Sequence, residues 1–331
     1  MRRILVLCPA RAGTRHGNRV TALRWARILR SLGHRVAVHE TLQDDRPDLL
    51  VALHARKSAA AVLRFRARAP ETPLIVALTG TDVYRDIHRS RAARRALQAA
   101  TRIVTLQPLA LRELRGALRA KARVIHQSAL PVRPGRRAAR FFDVCVPGHL
   151  RREKDPFRTA LAVRGLPGDS RIRVLQLGSA MTPAMRRRAR DEMARNPRYH
   201  WLGDRPHPQA RAILARSRLM VLSSRIEGGA NVISEALASA VPVLASRIPG
   251  SVGLLGADYP GYFPVGATQA LAAVLRRLER DATFYARLVR ACRARAPRFA
   301  PKAERRAWAS LLREVSGSSP GGCSAGGPRG R

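Results

Sequence analysis

Residues 224–246 read Ser-Arg-Ile-Glu-Gly-Gly-Ala-Asn-Val-Ile-Ser-Glu-Ala-Leu-Ala-Ser-Ala-Val-Pro-Val-Leu-Ala-Ser. Just ahead of them residues 219–222 form an apolar run of strand length, residues 232–239 carry a helical pattern, and residues 242–245 make another buried strand. Strand, glycine loop, helix and strand in that order is the repeating unit of parallel α/β proteins. The amides near 229–232 then stand unpaired at the positive end of a helix dipole, which suits phosphate oxygens. Gly228 and Gly229 let an anionic ligand approach the backbone, Glu227 stands on the loop, and Glu235 lies about 5 Å along the helix. Each carboxylate can accept hydrogen bonds from sugar or ribose hydroxyls beside a diphosphate. An ordinary strand-to-helix junction with acids in its first turns is the plainer reading of the same residues.

Moving outward, strands are predicted at residues 4–8, 36–39, 49–53, 74–78, 103–106 and 124–125, with helices between them. A first amphipathic helix is expected to bury Val20, Leu23, Ile28, Leu29 and Leu32 and to stop at Gly33. Around residues 131–140 the pattern lapses into Pro, Gly and Arg, and it restarts with strands at 142–146, 173–177, 200–202, 219–222 and 242–245. The fold class expected is α/β, two doubly wound Rossmann-like domains facing a cleft. Their predicted extents are 1–135 and 141–298, with a helix at 299–315 returning to the first domain. The Gly/Ser-rich end, 316–331, is expected to be disordered.

Further polar residues fall at the same carboxyl edges. Gly148-His149-Leu150-Arg151-Arg152-Glu153-Lys154-Asp155 follows the first strand of the second domain. Lys154 is one of only four lysines, and its compact ammonium suits a phosphate, although a solvated charge run would look the same. In the first domain Thr79-Gly80-Thr81-Asp82 follows a strand, where Asp82 also fits a plain helix N-cap. The loop 9–19 is neither a P-loop nor a dinucleotide fingerprint, but it offers Arg11, Arg15, Asn18 and Arg19 over a helix start. Lys57, expected on the helix after 49–53, is a further cation for an acceptor or a solvated charge.

The chain carries 63 Lys+Arg against 22 Asp+Glu, a net charge of +41. Residues 1–150 hold 30 basic and 9 acidic residues (+21) and residues 151–331 hold 33 and 13 (+20), so no basic arm stands out. With 59 of the 63 being Arg, drift in composition explains the charge more simply than a nucleic-acid groove, though the potential would draw small anions into a cleft. Cys8, Cys145, Cys292 and Cys323 are scattered, which suggests neither disulfides nor a zinc site. The apolar run at 4–8 is too short for a signal peptide or membrane span, so a cytosolic chain is expected.

Taken together, Glu227 and Glu235 across Gly-Gly, the Gly-x-Leu-x-x-x-Lys element ending at Lys154 and the closing Pro-Val-Leu-Ala-Ser strand resemble the retaining family 4 nucleotide-sugar glycosyltransferases of the GT-B fold. That resemblance implies that Glu227 contacts donor-sugar hydroxyls and that Gly228, Gly229, Ala230 and Asn231 hold sugar and phosphate. It also implies that Glu235 binds the ribose and that Lys154 neutralises the diphosphate. His149 departs from the arginine usual after Gly148, which leaves Arg151 or Arg152 to complete the clamp. A narrower likeness, carried by residues 17–30, 78–87, 122–129, 227–231 and 253–263, is to the selenosugar synthases of selenoneine biosynthesis. It implies a UDP-sugar donor, UDP-N-acetylglucosamine or UDP-glucose, and selenophosphate as acceptor, joined by a carbon–selenium bond with loss of phosphate. The acceptor would lie among Arg15, Asn18, Arg19, Lys57, Thr79, Gly80, Thr81 and Asp82. No Asp-x-Asp motif occurs, so no metal or other cofactor is expected, and the leaving charge falls to Lys154, arginines and the helix dipole. A family 4 enzyme with a carbohydrate or lipid acceptor, and a basic RNA-binding protein, remain the other readings. The sequence leaves the oligomeric state open.

Overall fold

Strands buried on both faces need uninterrupted apolar runs, and Leu49–Leu53 (Leu-Leu-Val-Ala-Leu) and Leu74–Leu78 (Leu-Ile-Val-Ala-Leu) are such runs, buried throughout. In the computed structural model, which describes residues 1–13, 17–43, 46–135 and 138–316, they lie at the centre of a parallel sheet. Its strands are β1 (Arg3–Leu7), β2 (Arg35–His39), β3 (Leu49–Leu53), β4 (Leu74–Leu78), β5 (Arg102–Thr105) and β6 (Ala122–Val124), in the order β2-β1-β3-β4-β5-β6. The register sets Ile4 beside Leu49 and Leu50 beside Leu74.

A second parallel sheet comprises β7 (Phe142–Pro147), β8 (Ile172–Leu177), β9 (Tyr199–Trp201), β10 (Leu219–Leu222), β11 (Val243–Ser246) and β12 (Tyr262–Phe263), ordered β12-β11-β10-β7-β8-β9. The fold class is thus the one expected. Only β12, two residues long and paired to β11, has no counterpart among the predicted strands. Chain order reverses between β1 and β3 in one sheet and between β7 and β10 in the other, and ligands of such sheets collect beyond the carboxyl ends at that reversal.

Four helices frame the cleft: α1 (Gly17–Ser31), α2 (Asn231–Ala238), α3 (Pro249–Leu255) and α4 (Pro301–Ser316). The buried face of α1 differs from the one expected. Thr21, Ala22, Trp25, Ala26 and Leu29 are buried, whereas Leu23 is 40% exposed. The large aliphatics suggested one stripe, but the small residues around Trp25 are what let α1 press against its neighbours. Trp25 meets Trp308 of α4 edge-on, with ring centroids 4.9 Å apart. Trp308, Leu311, Leu312 and Val315 join Ile4, Val6, Val51 and Ile75 in one core cluster, so α4 covers a face of the first sheet. Burying one such tryptophan removes on the order of 200 Å² from water, about 5 kcal/mol of transfer free energy.

The second sheet has its own core, from Val144 and Leu175 through Met220 and Leu244 to Leu275. Cys8, Cys145 and Cys292 are buried free thiols whose pKa values burial raises. Among the described residues no helix is long and apolar enough to cross a membrane. Apart from Ser316, which ends α4, the tail expected to be disordered lies outside the described residues.

Candidate active site

The site grows from the loops that leave β7 and β10 side by side. Beyond β10 the Ser223 hydroxyl donates to the carbonyls of Lys154 (3.2 Å) and Asp155 (2.9 Å), and the Arg225 amide donates to the Glu153 carbonyl (2.8 Å). At the end of β11 the Ser246 hydroxyl donates to the Ser224 carbonyl at 2.5 Å. Asp155 turns through a left-handed conformation (φ 43°), and its carboxylate accepts from Arg158 at 3.0 Å. Two loops more than sixty residues apart are thereby sewn into one surface.

On that surface the Lys154 ammonium donates to the Glu227 carboxylate, and the Ser224 hydroxyl donates to the same Oε1 at 2.6 Å. Both charged side chains are mostly covered, 19% and 11% exposed, so the pair is weakly screened and strong. A diphosphate reaching Lys154 would take over the cation and leave Glu227 to accept from hydroxyls. Beside the Lys154 turn is a cavity of about 240 Å³ lined by Arg152, Arg158, Arg188 and Arg225, which adds positive potential.

The helix expected at 232–239 is α2, starting one residue earlier at Asn231. Glu235 lies in its second turn and receives a hydrogen bond from His207 Nε2 at 2.9 Å. His207 was not singled out in the sequence, although a histidine just beyond the carboxyl end of β9 stands at the right edge. On the β7 loop the Ser179 amide donates to His149 Nδ1 at 3.1 Å. That bond makes Nδ1 the acceptor and leaves the neutral ring's proton on Nε2 as a donor. Arg151 and Arg152 are exposed.

Gly228 and Gly229 serve a purpose the sequence did not suggest. A Cβ on Gly228 would stand 2.5 Å from the Gly80 carbonyl oxygen, and one on Gly229 2.5 Å from Leu106 Cβ. Gly228 thus admits the Gly80 backbone and Gly229 the Leu106 side chain of the other domain, as well as any ligand. Ala230 is buried just behind them. Asn231 turns its side chain to α1, with Oδ1 accepting from Arg24 (3.0 Å) and Nδ2 donating to Thr21 (3.4 Å), so its contribution to a ligand is its backbone amide.

The acceptor side departs further from expectation. Asp82 is fully buried, and its carboxylate accepts from the amides of Gly80 (2.8 Å) and Ala55 (3.0 Å). It is therefore a brace between two loops, neither a cleft-lining group nor the simple N-cap. Lys57 lies in an exposed turn before the Ala59–Arg68 helix instead of on it. Next to it His54 adopts φ 70°, buried 3.7 Å from Asp82 and 3.9 Å from Asp86. Burial pushes the His54 pKa down against the pull of Asp82. Burial would raise the Asp86 carboxyl, but hydrogen bonds from Arg56 and Arg85 hold it below the usual range.

Thr79 is 9% exposed, with a buried hydroxyl that has no hydrogen-bond partner, and Thr81 accepts from Arg85 at 3.2 Å. Asn18 and Arg19 occupy the first turn of α1. Arg15 lies outside the described residues. The structure thus brings Gly80 to Gly228, and with it the end of β4 to the head of α2. A second bridge joins the domains where Gly253 of α3 accommodates Gln107, whose amide donates to Tyr84 at 2.6 Å.

This architecture has known counterparts. Residues 136–295 match the family model described as Glycosyl transferases group 1. Among solved structures, Anabaena Alr3699/HepE in complex with UDP is similar at a TM-score of 0.75, with 17% identity, covering 95% of this chain and 100% of that one. The same protein with UDP-glucose gives 0.76 at 16% identity over 96% and 100%. Sucrose-phosphate synthase from Thermosynechococcus elongatus gives 0.75 at 17% over 96% and 100%. No curated protein matches in sequence. The chain therefore has the GT-B fold, and residues 136–295 are similar to the group 1 glycosyl transferases.

Proposed function

We infer that this protein is a glycosyltransferase that moves a sugar from a UDP-sugar, UDP-N-acetylglucosamine or UDP-glucose, to selenophosphate. The observation that carries the donor half of the reading is the meeting of Lys154 and Glu227 near the head of α2, where chain order reverses in the second sheet and Gly80 packs on Gly228; selenophosphate as acceptor rests on the sequence likeness alone. Similar chains have been seen with UDP and with UDP-glucose.

In this account the diphosphate lies on the amides near 229–232 and draws Lys154 from Glu227. The charge that develops on the leaving UDP is met by that ammonium, by the helix dipole and by the His149 Nε2–H. Glu227 then accepts from donor-sugar hydroxyls, and Glu235, steadied by His207, from the ribose. Selenophosphate is anionic at neutral pH, so the first domain must orient it more than deprotonate it, with Arg19 and Lys57 as the cations at hand. Selenium bonds to the anomeric carbon as the bond to the UDP oxygen breaks and UDP departs with the electron pair. Water then cleaves the phosphorus–selenium bond, releasing phosphate and the selenosugar. Domain closure excludes water from the first step.

The experiment is to offer each UDP-sugar with selenophosphate and to look for selenosugar by mass spectrometry. Product with UDP release is the expected result. UDP release only with a carbohydrate or lipid acceptor would move the protein to the wider family 4 activity, and salt-sensitive RNA binding without UDP release would overturn the enzymatic reading.

A further inference from the structure

Glu304, on α4, is 1% exposed, yet it carries five contacts. Its Oε1 accepts from Trp25 Nε1 (2.7 Å) and its Oε2 from the Ser128 amide (2.8 Å) and hydroxyl (2.5 Å). Arg24 Nε lies 3.1 Å from Oε2 and 3.3 Å from Oε1. Ser128 belongs to the segment in which the chain leaves the first domain, and α4 belongs to the segment in which it returns. The two run together where the Ala129 amide donates to the Phe299 carbonyl at 3.1 Å. A buried carboxylate held this way is a fixed point, because each donor it lost would leave charge uncompensated.

Arg24 extends from that fixed point across the cleft. Its Nη1 donates to Asn231 Oδ1 at 3.0 Å, and its Nη2 is buried with no hydrogen-bond partner. Asn231 is the first residue of α2, and Thr21 of α1 binds both Asn231 Nδ2 (3.4 Å) and Gln127 Nε2 (2.8 Å). The residues assigned to the donor, namely His149, Lys154, Glu227, Glu235 and the α2 amides, all lie on the second domain. The contact between Arg24 and Asn231 therefore fixes where the first domain sits on the head of α2, and so where an acceptor meets the donor's anomeric carbon.

We propose that Arg24 is a positioning residue: anchored on Glu304 and acting through Asn231, it sets the closed alignment of the two domains without touching the donor. This rests on the reading of the cleft as the transfer site. Three variants test it: Arg24→Ala, Arg24→Lys, which keeps a charge for Glu304 but loses the fork, and Asn231→Ala, which cuts the contact from the other domain and leaves Glu304 untouched.

In each, kcat should fall by about tenfold or more, the UDP Kd from calorimetry should stay within about twofold in the two Arg24 variants, and the double variant should be no worse than the worse single one. Small-angle scattering, which needs no turnover, should give Asn231→Ala and Arg24→Lys a larger radius of gyration than the parent. If the radii coincide, or if kcat holds or the two losses multiply, the proposal is overturned. If the radii differ as expected but the parent releases no UDP from either donor, it is the transfer reading that fails and not the alignment. Arg24→Ala can unfold by stranding Glu304, and the other two variants then decide alone.

Discussion

The carboxyl edges of the two sheets face each other, and they are built differently. On the second sheet Glu227, Asn231 and Glu235 follow one another within a strand, a loop and two helical turns, and Lys154 arrives on a loop sewn alongside. On the first sheet Asp82, His54, Asp86, Arg56 and Arg85 pair among themselves, so much of the polar chemistry there is internal. A ligand site made from contiguous chain shows in the spacing of residues. One whose polar groups brace each other across loops does not, because the same residue types serve both purposes.

That contrast can be broken experimentally. The largest effect is expected on the second sheet, where Lys154→Ala or Glu227→Ala should lower kcat by about 10² to 10³, as for loss of a preorganised electrostatic partner, with the fold retained. Activity within twofold of the parent would remove the pair from the chemistry. Next in size, Asp82→Ala should cost about 2 to 4 kcal/mol in denaturant unfolding, because it strands two amides, while leaving donor KM unchanged. A variant of full stability with a raised acceptor KM would return Asp82 to the cleft.

Smaller effects sharpen the picture. Glu235→Ala should raise donor KM by about tenfold with little change in kcat, and His207→Ala by a smaller factor in the same direction. A kcat effect without a KM effect in either would contradict the ribose role. The smallest is a pH dependence of stability. Burial lowers the pKa of His126 despite its bond to the Leu106 carbonyl, and that of His54 despite Asp82. Both rings are neutral in the fold and take up a proton more readily when unfolded. Their contribution is complete above the ordinary value of 6.5 and is lost as pH falls below it, so Tm should decline from neutral pH toward 5.5 and less steeply in His126→Asn. A flat or rising Tm over that interval would refute the assignment.

The βα alternation was legible because buried parallel strands are written as short apolar runs, and Leu49–Leu53 or Leu219–Leu222 admit few other readings. The α2 junction was legible for the same local reason. What escaped was long-range. Nothing in the spacing of Trp25 says that it packs on Trp308, and Glu304 is separated from Ser128 by 176 positions. The glycines at 228 and 229 gave a permissive signal without saying that they would meet the Gly80 backbone and the Leu106 side chain. The inward turn of Asp82 escaped because a carboxylate after a strand looks alike whether it turns outward to a substrate or inward to amides.

The most direct measurement is a crystal structure with UDP bound. Diphosphate oxygens within hydrogen-bonding distance of the amides at 230–232 and of Lys154 Nζ, with the ribose on Glu235 and Glu227 released from its lysine, is the expected result. Nucleotide bound elsewhere, or bound with both carboxylates still engaged only with Lys154 and His207, would contradict the account.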